Sequence, residues 1–385
     1  MEKNLPIIES SQLEKLPERA RDPIEYRKSG LSLNHIQGCP LDCAYCIRHS
    51  YDLWDQRRPK ALMSDAMAVN ALVTHPYFTA HTTPLQLLNR DTDPFLQNVK
   101  QHTLAVLRDL DRRSLRNHVL VITRCKINSQ DLIQLNMLRH IKLTILFTYS
   151  GIENAQIEPH PARAVIESLK TTSSIPDRNF RTILYWRPLV PGLNDSGEHI
   201  DRAGELAEYA DATVYTGLFY RRQIAAYYEA NGIPEPYSKT ARRKIIPHEL
   251  ESRILDRYVS TTPLFRKTSC AVSYVHGLPD YNGHYGIREL CDICPVHQRE
   301  ICASAHRVPS PEVIHASARQ LKEINGLTVK KITSRAAVVS GLDSEQPRYY
   351  LQHRLGFQIH DIRHPHHIHL HGRANPERKK ANPDS

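Results

Sequence analysis

Seven of the eight cysteines fall into two groups, and the tighter one lies in the run GCPLDCAYC, where Cys39, Cys43 and Cys46 are spaced C-x3-C-x2-C. Three thiolates on one short loop can hold three irons of a cubane [4Fe-4S] cluster, which leaves the fourth iron open to a small molecule. A zinc site closes with four ligands in paired C-x2-C arrangements. A disulfide framework is unexpected in a chain with no secretory features. Against the cluster stands only the bland alternative of three unrelated thiols that fall close together.

The second group is Cys270, Cys291, Cys294 and Cys302, spaced C-x20-C-x2-C-x7-C. Four soft ligands can close either a second [4Fe-4S] cluster or a structural zinc ion, and the proline after Cys294 leans toward iron and sulfur. Between the first two of these cysteines lies HGLPDYNGHYG. Here Asp280 and His284 could exchange protons and Tyr281 could relay a hydrogen atom. The alternative is a glycine-shaped loop held by its own side-chain hydrogen bonds. Farther on, HPHHIHLHGR carries His364, His366, His367, His369 and His371, which we read as a surface strand with incidental metal affinity.

The cysteine loop, together with Tyr45 before its last thiol, resembles the signature of the radical S-adenosylmethionine superfamily. The likeness extends over roughly residues 30 to 220: Thr92-Asp93-Pro94, Ile157-Glu158-Pro159 and the PxxPGxND turn from Pro188 to Asp195 look like segments of the spore photoproduct lyase-like branch. It implies that the open iron chelates S-adenosylmethionine, that the reduced cluster cleaves it to a 5'-deoxyadenosyl radical, and that this radical abstracts hydrogen from the substrate. It implies roles for single residues as well. Asp91, Thr92 and Asp93 take the amino group of the cofactor, Thr148, Ser150 and Arg187 border its carboxylate and ribose, and Asn194 either approaches the adenine or closes its turn. An ammonium does need carboxylate acceptors, and a carboxylate is best met by a guanidinium fork. Gly192 supplies a turn with positive φ. The chain departs from the lyase where that enzyme has a hydrogen-donating cysteine, offering Leu88, Asn89 and Arg90 instead. Thymine-dimer reversal is therefore in doubt. Cys125 is either a substitute donor or a small buried hydrophobe.

Strand-like runs at Leu31–Ile36, Pro84–Leu88, Val119–Thr123, Leu143–Thr148, Thr182–Trp186 and Thr213–Phe219 alternate with amphipathic helical stretches. Six β-then-α units predict an α/β protein with a parallel sheet and outer helices, and the resemblance narrows this to a partial (β/α)6 TIM-type barrel. In such barrels chemistry sits at the C-terminal ends of the strands, where Cys39, NRDTDPF, TRCK, TYSG and WRPLVPGLND all fall. The expected organisation is a leader at 1–28, a core barrel at 29–237, a cysteine-rich auxiliary domain at 238–310, a small C-terminal α+β segment at 311–372 and a disordered basic tail at 373–385.

With 385 residues the chain can bury a full core. Its net charge of +10 favours anionic partners, although the ERKK tail and the cluster at Arg242, Arg243 and Lys244 read equally as solvated surface. No apolar signal region or membrane-length run occurs, so a cytoplasmic protein is expected. The composite expectation is an enzyme with two iron–sulfur clusters, S-adenosylmethionine and a reductant such as flavodoxin or ferredoxin, acting on a nucleic acid or nucleotide. A peptide or small biosynthetic intermediate is the alternative substrate. A non-catalytic zinc or iron–sulfur module that binds nucleic acid is the alternative of another class.

Overall fold

Alternation of apolar and permissive residues along the strands builds a sheet with two distinct faces. The computed structural model describes residues 5–241, 244–258, 262–321, 324 and 326–363, with the backbone of Arg373–Ala374. Its main sheet contains β1 (Ile24–Arg27), β2 (Gly30–Leu33), β3 (Leu85–Leu87), β4 (His118–Thr123), β5 (Lys142–Tyr149), β6 (Arg181–Leu189), β7 (Ala212–Gly217) and β8 (Leu264–Phe265), arranged in that order. All neighbours from β2 to β8 pair in parallel, whereas β1 is antiparallel to β2. On β6, Ile183 and Tyr185 face inward while Leu184 and Trp186 join the outer layer beneath the helices. This period of two is what a sheet covered on its convex face requires. Helices Asp65–Thr74, Lys100–Arg112, Ser129–Asn136, Arg163–Ser173 and Gly197–Ala207 supply that cover. Side-chain caps from Ser64, Asn128 and Ser196 start three of them.

The barrel is wider than six β/α units. Part of the expected leader forms edge strand β1, and part of the expected auxiliary domain forms edge strand β8. Strands of four and two residues are too short to announce themselves by periodicity. The first predicted strand also stops early. At Asn34 the side chain donates to Ser32 Oγ and accepts from Arg90 N at 3.1 Å, and Ile36–Gln37 then pairs with Lys60–Ala61 outside the sheet.

Two later segments close the barrel. Phe265, Ala271 and Val272, the latter two on helix Thr268–Val275, fill the apolar interior below the mouth. The C-terminal unit is a sheet of Thr328–Ile332, Ala336–Ser340 and Gln358–Asp361 with helix Glu345–Leu355 crossing it. That helix covers β1: Gln346 Oε1 accepts from Tyr26 N at 2.6 Å, and His353 bonds both the Tyr26 hydroxyl and Asn282 Oδ1. The histidine-rich stretch 364–372 lies outside the described residues. No helix among the described residues is long and apolar enough to cross a membrane.

Candidate active site

The cysteine loop leaves the C-terminal end of β2 through Gly38, whose φ of 100° suits glycine and whose position leaves no room for a Cβ, which would stand 2.3 Å from Arg58 O. A buried arginine then shapes the loop. Arg48 donates to the carbonyls of Cys39 (2.9 Å), Leu41 (2.7 Å) and Gln56 (3.1 Å), satisfying backbone acceptors that a tight loop cannot pair with itself. Ala44 N donates to Ile157 O at 3.0 Å and ties the loop to the Ile157-Glu158-Pro159 segment. Cys39, Cys43 and Cys46 consequently open on one cavity of about 1160 Å3 at the mouth of the barrel.

A second arginine, Arg124 after β4, reaches the loop from the side. Its Nη1 donates to Cys43 Sγ at 2.9 Å, Tyr45 Oη at 3.0 Å and Glu158 Oε1 at 3.1 Å, and the Tyr45 hydroxyl donates to the same carboxylate. Burial pushes the Cys39 thiol up to about 11 and Cys43 higher still, with Arg48 and Arg124 respectively pulling the other way. Such thiols become ligands only beside a metal, whose charge deprotonates them outright. Three thiols of one short loop that open on one cavity are a donor set that fits a cluster with one iron left open.

The remaining residues expected at the site divide clearly. Tyr45, Asp91, Thr92, Asp93, Thr148, Arg187 and His284 line the cavity. Thr92 Oγ1 and Arg187 Nε are buried without hydrogen-bond partners, so both can meet a ligand. Asp91 is fully buried against Arg90, at 2.9 Å, and burial pushes it up to about 6 despite that partner. Asp93 already accepts from Phe95 N, Thr123 Oγ1 and Arg124 N. Three donors nearly fill a carboxylate, so Asp93 holds the loop rather than standing free for an ammonium.

Five expected residues do not line the cavity: Ser150, Asn194, Cys125, Tyr281 and Asp280. Asn194 accepts from Val190 N and donates to the Ser150 and Pro188 carbonyls, closing its own turn, where Gly192 has the expected positive φ of 78°. Ser150 accepts from Ile152 N behind the wall. Cys125 is buried in the main core cluster, its thiol hydrogen-bonded to Asp93, and does not itself line the cavity. Tyr281 likewise lies off the cavity, beside the His118 and His353 rings.

The second cysteine group gathers around Asp280. Cys270 stands on helix Thr268–Val275, Cys291 ends helix Arg288–Cys291, and Cys302 lies on helix Val296–Ala305. Cys302 Sγ accepts from Asp280 N at 3.4 Å, and Cys270 Sγ is 3.9 Å from His284 Nδ1. Asp280 is held down to about 2: burial opposes this, but His284 bonds its carboxylate through both backbone N and Nδ1. His284 Nε2 is buried without a partner. Ser269, Asn282 and His284 place this group directly behind the cavity wall.

The cavity is strongly basic. Arg19, Arg27, Lys28, Arg48, Arg90, Arg124, Arg187, Arg221, Lys244, Arg266, Lys267 and Arg348 line it, against Glu25, Asp91, Asp93 and Glu345. Sequence reasoning missed most of these cations, which come from ten separate stretches of chain. Their only advance signal is the net charge.

No model of a known protein family matches the sequence, and none of the curated proteins does. Among solved structures, the chain is similar to SuiB from Streptococcus suis bound to S-adenosylmethionine, with 12% identity, 66% of this chain and 54% of that chain covered and a TM-score of 0.42; the match thus spans about half of SuiB. A double mutant of spore photoproduct lyase with bound AdoMet and dinucleoside spore photoproduct matches at 9% identity over 62% of this chain and 72% of that one, with a TM-score of 0.42. TsrM from Kitasatospora setae, a radical S-adenosylmethionine methyltransferase, matches at 15% identity over 51% and 37%, with a TM-score of 0.37.

Proposed function

We propose that this chain is a radical S-adenosylmethionine enzyme with two iron–sulfur clusters, acting on a nucleotide or nucleic acid. The observation that carries the reading is the convergence of Cys39, Cys43 and Cys46 on a basic cavity at the C-terminal mouth of a parallel barrel. When bound, the cluster supplies the electron that breaks the sulfonium bond of S-adenosylmethionine, yielding methionine and, after hydrogen abstraction, 5'-deoxyadenosine.

The chain's own residues hold and orient. Arg48 fixes the loop carbonyls, and Arg124 donates to the thiol side of Cys43. Thr92 and Thr148 face the space that the cofactor needs. At the second group, Cys270, Asp280 and His284 lie within 4.8 Å of one another among the described residues, and the four cysteines with the proline after Cys294 are what favour a second cluster over zinc. A small electron carrier such as flavodoxin or ferredoxin serves as reductant.

The test is anaerobic reconstitution with iron and sulfide, then dithionite and S-adenosylmethionine. Release of 5'-deoxyadenosine, with deuterium acquired from a labelled nucleotide, is the expected result. No release would favour a non-catalytic binding module, whereas deuterium transfer only from a labelled peptide would move the substrate to that class.

A further inference from the structure

Across the barrel from the cysteine loop, the cavity wall carries cations that have no carboxylate partner within 4 Å among the described residues. Tyr185 points inward from β6. Lys244 Nζ lies 3.4 Å from its hydroxyl and 5.7 Å from its ring, and the Arg187 guanidinium lies 5.0 Å from the same ring. Lys28, on the turn between β1 and β2, lines the same cavity. Neither Lys28 nor Lys244 stands within 4 Å of a carboxylate among the described residues, unlike Arg90, Arg124, Arg266 and Arg348, which all have carboxylate partners. Arg187 Nε is buried with no partner.

Placing like charges together away from water is costly unless something pairs with them. Burial, with Arg348 and Lys244 adding repulsion and Asp280 and Cys270 pulling the other way, brings the Lys28 ammonium down to about 8. These cations press on one another as an unfilled anion site does. Two ammonium groups, a guanidinium and a phenol approach from three segments of chain. A phosphate offers about two negative charges and three acceptor oxygens to such a set, and lysine is a common phosphate binder. Size bears on the rest of the ligand. Single-ligand pockets run from roughly 300 to 1,000 Å3, so a cavity of about 1160 Å3 has room for two ligands that each need about half of it.

We propose that the wall formed by Lys28, Lys244, Arg187 and Tyr185 binds the phosphate group of a small phosphorylated substrate, a phosphomonoester or diphosphate of nucleotide size. The inference rests on this cavity being the substrate chamber of the enzyme proposed above.

Calorimetric titration of the reconstituted, S-adenosylmethionine-loaded protein with inorganic pyrophosphate tests it. Saturable binding is expected, weakened 30-fold or more in Lys28→Gln/Lys244→Gln, retained in Lys244→Arg, and unchanged in Lys330→Gln/Lys331→Gln, whose lysines are exposed on the C-terminal sheet. A readout that needs no variant is tyrosinate absorbance at 295 nm. Pyrophosphate neutralises the cations beside Tyr185, so the absorbance at pH 8 falls as the site fills. Absent binding, equal affinity in the double lysine variant, an unaltered tyrosinate signal, or binding of a single-stranded oligonucleotide in place of pyrophosphate would each overturn the proposal. Release of 5'-deoxyadenosine from the same preparation separates the two ideas. Release without pyrophosphate binding removes only the phosphate site, and binding without release removes only the radical reading.

Discussion

Replacing Arg124 by leucine should cost about 4 kcal/mol of stability, and removing Glu158 as well should add only about 1 kcal/mol to that loss. Arg124 and Glu158 are 19% and 9% exposed at their side chains and 3.1 Å apart. Two unit charges about 4 Å apart attract by roughly 4 kcal/mol at an effective dielectric of 20. Breaking a buried pair from one side typically costs about 3–5 kcal/mol, because the stranded charge is left without compensation. Here the stranded groups also include the Tyr45 hydroxyl and Cys43 Sγ, both of which lose a donor. Glu158→Leu alone should cost a similar amount. The double variant leaves neither charge uncompensated, so it should lose about 5 kcal/mol rather than about 8, a coupling near 3 kcal/mol. Urea unfolding of the four proteins, reduced and cluster-free, followed by circular dichroism, measures that cycle. Additive losses, or a cost below about 1 kcal/mol for Arg124→Leu, would refute the claim that this network fixes the cysteine loop.

Three further outcomes follow from local geometry. His35 and His102 both bond Asp65, at 2.9 and 3.0 Å, and hold its carboxyl at about 2 against the opposing effect of burial. A depressed carboxylate stabilises the fold above the unfolded pKa near 4 and loses that contribution as pH falls toward 2. Asp65→Asn should therefore flatten the acid limb of a stability–pH profile, removing about 2 kcal/mol of pH dependence. Tyr185 is expected to ionise near pH 7: burial alone would raise it, but Lys244 and Arg187 overcome burial. Absorbance titration of the cluster-free protein should show one such phenol, absent in Tyr185→Phe. At Gly217 an added Cβ would meet the Ile245 carbonyl at 1.6 Å. Gly217→Ala should thus cost about 3 kcal/mol or more in thermal unfolding as the backbone moves apart.

Much of the barrel is legible in the chain, because each central strand from Leu85–Leu87 to Ala212–Gly217 shows an apolar run between helical stretches. Cys39 and Asp91, on the loops after β2 and β3, and Thr148 and Arg187, near the C-terminal ends of β5 and β6, could accordingly be placed at the barrel mouth without coordinates. What was not legible depends on direction and on distance. Arg124 and Cys125 are adjacent, yet one lines the cavity and the other is buried in the core, and residue type does not say which. Asp93 and Asn194 have the right chemistry for a ligand, but the backbone groups that occupy them are visible only once the loops are folded. Arg48 reads as a surface charge, and only the carbonyls of Cys39, Leu41 and Gln56 explain its burial. The basic wall is assembled from segments more than 200 residues apart, from Lys28 to Lys244, which no local pattern can reveal.

The central claim is most directly tested by iron and acid-labile sulfide per chain, read together with the low-temperature electron paramagnetic resonance spectrum of the dithionite-reduced protein. Four irons belong to each cubane, so wild-type protein should hold about eight of each element. Cys39→Ala/Cys43→Ala/Cys46→Ala should hold about four and lose the spectral change that S-adenosylmethionine causes. If the triple variant keeps the full iron complement, or if S-adenosylmethionine leaves the wild-type spectrum unaltered, the loop does not hold a cluster with an open iron.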